Sequence, residues 1–189
     1  MEFIEVVERR TSVRTFTEKE VADDLIFQIL SCGHKAPTAG NIQPWEFIII
    51  KNPSLKQEIV KTTFVGNNEQ SKKTQTWMLN ASVFIIVCAD VERSEARYGN
   101  KAAESLVYLD CSACVENMLL AIVDLHLASC YVSGFRESDL TSVLGLPSGV
   151  IPVAIIPIGY PAGQTEKRKK VQLESVIHYE TFGNLHKQG

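Results

Sequence analysis

Arg10, Ser12 and Arg14 occupy alternate positions near the start of the chain. In an extended segment alternate residues share one side, so this stretch would present two fixed cations flanking a hydroxyl, an arrangement suited to an anion. Arg168 and Lys170 alternate likewise inside the run Lys167-Arg168-Lys169-Lys170, and would complete a phosphate clamp if folding brought them to the first pair. Between the two lies Ala36-Pro37-Thr38-Ala39-Gly40-Asn41-Ile42-Gln43-Pro44-Trp45. Its amides, hydroxyl and backbone donors sit beside an apolar segment, which suits hydrogen bonding to the edge of a heteroaromatic ring. Taken singly, these features also read as ion-paired surface arginines, a solvated charge run and an ordinary loop. As a set they suit a flat, phosphorylated cofactor.

Other chemistries find little footing. His34, His126, His178 and His186 are isolated, and the sole Cys-x-x-Cys, Cys111 to Cys114, falls inside a long helical pattern, where it reads as two small buried apolar residues rather than a zinc or redox pair. Gly-x-Ser-x-Gly, Gly-x-Gly-x-x-Gly and P-loop patterns are absent. With 19 Lys+Arg against 22 Asp+Glu and a net charge of −3, no broad surface attracts a nucleic-acid backbone. The beginning, MEFIEVVERR, lacks a secretory pattern, and no run reaches the roughly 18 uninterrupted apolar residues of a membrane span, so a cytoplasmic protein without membrane or nucleic-acid partners is expected. Five dispersed cysteines predict reduced thiols. A chain of 189 residues, 45% hydrophobic and 22% charged, predicts one soluble domain over 1–189.

The elements that must position the candidate residues follow from periodicity. Glu2 to Arg9 predicts a short helix running into the basic stretch. Thr17-Glu18-Lys19-Glu20 has the spacing of a capping box before an amphipathic helix from Val21 to Ala36, ended by Pro37. Trp45 to Ile50 reads as a central strand, Leu55 to Phe64 as a surface helix, Val65 to Trp77 as a polar loop and Ser82 to Ala89 as a buried strand. Ala102 to Ala128 is the longest helical pattern, apolar nearly all round from Met118 to Val123, so it must be covered on most sides. A turn at Ser133-Gly134 and a helix from Ser138 to Leu144 follow. The strand from Val150 to Tyr160 is pushed toward a sheet edge or bulges by Pro152 and Pro157. The remainder is too poor in apolar residues to form a core alone.

Arg10-Thr11-Ser12-Val13-Arg14-Thr15-Phe16, Ala36-Pro37-Thr38 with Asn41-Ile42-Gln43-Pro44-Trp45, Glu116-Asn117, Val132-Ser133-Gly134-Phe135, Leu144-Gly145-Leu146-Pro147 with Gly149-Val150, and Ile158-Gly159-Tyr160-Pro161 appear in order. Together they resemble the motifs of the nitroreductase family of FMN-dependent oxidoreductases over nearly the whole chain. The resemblance implies an α+β fold with a mixed, mainly antiparallel sheet packed among helices. It also implies an intertwined homodimer with FMN sites at the interface, and a tail of about 165–189 packing on the partner subunit. By motif, Arg10, Thr11, Ser12 and Arg14 would hold the ribityl phosphate and pyrimidine side of FMN. Pro37, Thr38 and Asn41 would reach the ring from the other subunit. Ser133 and Gly134 would lie against the flavin N5 region, and Arg168 and Lys170 would contact phosphate. A further flavin-contacting amide is implied among Asn67, Asn68, Gln70 and Gln75.

The activity implied is ping-pong transfer of hydride from NAD(P)H through flavin N5 to a small-molecule electron acceptor such as a nitroaromatic or quinone. No side chain then acts as nucleophile or general base, because the cofactor carries the chemistry. Reductive dehalogenation, other ring or heterocycle redox, or a non-enzymatic flavin-binding or redox-sensing module would use the same motifs.

Overall fold

The computed structural model describes residues 1–66, 69–163 and 165–185. Its centre is β2 (Val83–Asp90), whose residues from Val83 to Ala89 are all buried. Successive side chains of a strand point to opposite faces, so a continuous apolar run must be covered on both sides. One face carries Val83, Ile85, Val87 and Ala89 into a core shared with α2 (Asp23–His34) and α5 (Asn100–Asp124). The other carries Phe84, Ile86 and Cys88 into a second core closed by α3 (Pro53–Thr62) and α6 (Glu137–Leu144). The result is a helix, sheet, helix sandwich.

The sheet runs in the order β1 (Trp45–Ile50), β2, β4 (Val150–Gly159), β3 (Ala128–Ser129), with every neighbouring pair antiparallel. An isolated parallel bridge joins Ser12 to Ser129. One placement differs from the sequence reading, since β1 is an edge strand; β4 is interior and takes the second of the two options its prolines left, local irregularity. The prolines of β4 are absorbed by local irregularities rather than by an edge. Pro152 borders a register slip between Val87 and Cys88, and Pro157 lies beside the gap between the Ser129–Ile158 and Val132–Ile155 pairings.

The capping box does not form. Thr17 Oγ1 accepts from Lys19 N at 3.4 Å, while Val21 N donates to Ser82 Oγ at 2.8 Å, which holds this segment extended and delays α2 until Asp23. Asp23 and Asp24 then supply negative charge to the first turn. The long helical pattern forms one helix, α5, which stops at Asp124, short of Ala128 in β3; a separate helix the sequence reading did not place, α4 (Val91–Tyr98), precedes it, and Gly99 at φ 72° makes the break.

Within α5, Ser105–Asp124 is long and apolar enough to cross a membrane by length and composition. Here Val107, Cys111, Cys114, Val115, Met118 and Ile122 face the core instead. Gly33 lets α2 approach this face, because a Cβ there would stand 2.6 Å from Met118 Cγ and 3.0 Å from Cys114 Sγ. All five cysteines are free thiols. Lys56 is buried on α3, where its Nζ donates to Ala81 O at 2.5 Å, and burial lowers its pKa below the ordinary lysine value.

Candidate functional site

Helix α1 (Phe3–Arg9) stops at Arg10, and the chain continues extended because Val13 N donates to Ser129 O at 2.9 Å and Val13 is buried. This tether to β3 fixes the basic stretch. The segment from Thr165 to Lys170 crosses in front of it, and a cavity of about 630 Å³ separates the two. Arg10, Thr11, Ser12 and Arg14 line one wall, while Thr165, Lys167, Arg168 and Lys170 line the other. The two basic clusters, more than 150 residues apart in sequence, therefore meet. Lys167 joins Arg168 and Lys170 in the lining, whereas Lys169 does not.

Five cations face two carboxylates in this cavity, Glu8 and Glu166, in a chain whose net charge is −3. Among the described residues neither Arg10 nor Arg14 makes an ion pair, in contrast to Arg9, which pairs with Glu5 at 2.6 Å. Beneath them lies the Cys130 thiol. Burial pushes its pKa up, while Arg14, a hydrogen bond from Ser12 and Arg10 oppose that rise, so all three groups act on one buried point. The excess of positive charge suits an anion.

From Arg14 the site continues sideways. Its guanidinium stands 5.7 Å from the Trp77 ring centre, and Phe16 stacks on the same ring at 6.4 Å. Two residues before Trp77, Gln75 Nε2 donates to Phe64 O at 3.1 Å and to Gly134 O at 3.2 Å. This connects the basic cavity to the Ser133-Gly134 turn. Among the described residues the backbone N–H groups of Ser133 and Gly134 have no acceptor. Ser133 also lines a second cavity of about 590 Å³ with Tyr108, Tyr131 and Phe135.

Pro37, Thr38 and Asn41 lie elsewhere in the same chain and do not line the basic cavity. Their loop is strained, with Gly40, Asn41 and Gln43 all at φ of 50° to 58°. It is held by Thr38 Oγ1, which accepts from Gln43 N at 3.1 Å, and by Asp110 Oδ1, which accepts from Ala39 N at 3.0 Å. Arg97 donates to Gly40 O at 2.9 Å and Arg93 to Gln43 O at 2.7 Å. Sequence reasoning missed Arg93, Arg97 and Asp110 because their partners are backbone atoms some 50 to 70 residues away. Of the four amides implied for flavin contact, Asn67 and Asn68 lie outside the described residues, Gln70 is exposed, and Gln75 is engaged as above. Among the described residues no three His, Cys, Asp or Glu side chains gather to hold a metal.

Against this geometry the comparisons with known proteins are consistent. The sequence profile described as the nitroreductase family matches residues 7–160. The chain belongs to the nitroreductase family. A relative in Archaeoglobus fulgidus, whose name joins NADH dehydrogenase to NAD(P)H nitroreductase, is 28% identical over 169 residues, covering 87% of this chain and 88% of that protein. The FMN reductase [NAD(P)H] of Bacillus subtilis is 26% identical over 201 residues, covering 97% of this chain and 75% of its own. A nitroreductase family crystal structure from Clostridium difficile 630 superimposes with a TM-score of 0.81 at 25% identity, covering 96% of this chain and 99% of that one. The shared nitroreductase fold is the α+β arrangement of helices around an antiparallel sheet described above.

Proposed function

We propose that this chain is an FMN-dependent NAD(P)H oxidoreductase, working as a homodimer and passing electrons to nitroaromatic, quinone or related small acceptors. The observation that carries this reading is the convergence of Arg10 and Arg14 with Arg168 and Lys170 on one basic cavity. The residues present suit FMN on two counts. Cations without ion-pair partners among the described residues, beside the Thr11 and Ser12 hydroxyls, match a dianionic phosphate. The N–H groups of Ser133 and Gly134 match acceptors on the edge of a heteroaromatic ring.

Bound FMN would supply the redox chemistry, accepting electrons from NAD(P)H and releasing them to the second substrate. The protein binds and orients. Arg10, Arg168 and Lys170 would neutralise the phosphate, Arg14 would hold positive charge near the ring, and the Ser133-Gly134 turn would offer donors where negative charge develops.

A second copy of the chain is needed to complete the ring-lining set, because Pro37, Thr38 and Asn41 stand apart from the basic cavity within one copy. Two apolar surfaces suit that contact: Leu109 on α5, 66% exposed, and the tail residues Val171, Leu173, Val176 and Phe182, all exposed. Leu109→Glu is expected to convert a sedimenting dimer to monomer and to weaken FMN binding at least tenfold. A wild-type protein that sediments as a monomer at micromolar concentration would remove the dimer from this reading.

The activity is tested by adding FMN to the purified protein and mixing it anaerobically with NADH and NADPH in turn. Flavin absorbance should bleach with one or both nucleotides and return on addition of a nitroaromatic or quinone. A protein that takes up no FMN, or whose bound flavin neither nucleotide reduces, would overturn the proposal.

A further inference from the structure

We propose that the Gln75 carboxamide is a positioning residue for the Ser133-Gly134 turn, holding in one orientation the two N–H groups through which that turn would meet the ring. The inference rests on the flavin reading above and names a residue that sets the site's geometry.

Gln75 is anchored at both ends. Its backbone N donates to Thr63 Oγ1 at 2.8 Å, and that hydroxyl donates in turn to Val60 O at 2.7 Å, so the residue is tied to the last turn of α3 through a fully buried threonine. At the other end Nε2 meets two carbonyl oxygens, Phe64 O and Gly134 O. Two acceptors at one end of a carboxamide leave only its NH2 group compatible with that position, so the amide has one orientation.

The Gly134 carbonyl also accepts from Phe64 N at 2.9 Å, and the N–H of the same peptide unit, Phe135 N, donates to Ser133 O at 3.1 Å. Both polar groups of the Gly134–Phe135 peptide are therefore occupied, and the unpaired donors of the turn are those of Ser133 and Gly134. The glycine and the brace are fitted to each other, because a Cβ on Gly134 would stand 3.2 Å from Gln75 Nε2 and 3.2 Å from Phe64 O. Without the carboxamide, a residue with no Cβ would be held at its carbonyl by a single hydrogen bond. Donors that must meet developing charge lose their effect when their direction is free.

The test compares wild type with Gln75→Glu and Gln75→Leu. The glutamate side chain keeps the size but, when ionised, turns an acceptor toward two acceptors. In flavin-free, full-length protein near pH 8, hydrogen-exchange protection of the Phe135 amide should fall about tenfold in both variants. Near pH 5 the Gln75→Glu carboxyl, whose pKa is raised by facing two carbonyls, regains its proton and can donate, so protection should return toward wild type. Gln75→Leu should not recover. With FMN bound, affinity should stay within about threefold, since the basic cavity is intact. Reduction by nucleotide should fall about tenfold near pH 8 and recover near pH 5 in Gln75→Glu alone, each measured against wild type at the same pH.

Wild-type protection and reduction in Gln75→Glu near pH 8 would overturn the proposal. So would equal losses in both variants with no recovery at the lower pH, which would mark a packing defect. If wild type takes up no FMN, the flavin reading fails, and the exchange comparison in flavin-free protein by itself decides whether Gln75 braces the turn.

Discussion

Replacing Arg10 and Arg14 together by alanine is expected to raise the FMN dissociation constant about a thousandfold. Arg10 would give a charge-assisted hydrogen bond to phosphate and Arg14 one to the electron-rich edge of the ring, each contributing about 2 kcal/mol when partly shielded from water, and about 4 kcal/mol for the two corresponds to that factor. Arg10 is half-buried and Arg14 exposed, so the loss should shrink at high ionic strength as salt screens the wild-type contacts. Folding should suffer little, because neither guanidinium forms an ion pair among the described residues. Flavin fluorescence titrations at low and high salt, with melting temperatures as the control, measure this. Affinity retained within threefold of wild type would remove the first basic stretch from the site.

Alkaline unfolding is the second large effect. Burial pushes the thiols of Cys88, Cys111 and Cys114 up to about 12, each with desolvation as the leading cause. In the unfolded chain a thiol ionises near 8.5. Above that pH the unfolded state has released protons that the folded state still holds, so stability falls as pH rises toward about 12. Each thiol contributes a loss of about 1.4 kcal/mol per pH unit, and three contribute about 4 kcal/mol per unit. A typical total stability of about 5–15 kcal/mol would be exhausted, or nearly so, within about one to three and a half units above 8.5. Lys56 works in the opposite direction, since its lowered pKa makes stability rise with pH up to the ordinary lysine value, but it stands against these three thiols and the raised Cys130 thiol. Urea unfolding between about pH 8 and pH 10.5 should show the decline, and Cys114→Ala should reduce its slope by about a third while costing little near neutrality. An equally steep decline in that variant would show that its thiol does not titrate on unfolding.

Much of the fold was legible because its cause is local. The β-branched run of Val83 to Ala89 and the apolar pattern of the long helix each call for burial wherever they lie; the strand is buried throughout, and the helix buries Val107, Cys111, Cys114, Val115, Met118 and Ile122 while Leu109 stays exposed. The same reasoning misplaced β1, because strand order depends on which partner covers an edge, and left β4 open between an edge and bulges, because a proline excludes only particular hydrogen-bonding positions. The capping box failed for a similar reason: Ser82, 61 residues away, holds Val21 N in an extended segment. Helix α4 was missed because its polar sequence carries no apolar stripe, and with it went Arg93 and Arg97, the clamps on the 38–43 loop.

By itself the sequence determined the residue types of the clamp, the Ser133-Gly134 turn, the family motifs and the buried character of the central strand and of one face of the long helix, since charge, backbone freedom and hydropathy reside in single residues and short spacings. Tertiary structure alone decided that Arg10 and Arg14 meet Arg168 and Lys170, that Lys169 stays outside, and that Gln75 braces the turn rather than standing free. Such juxtapositions arise from β3 tethering the first basic stretch and α3 anchoring the second loop, and distances across a folded chain are set by packing rather than by position along it.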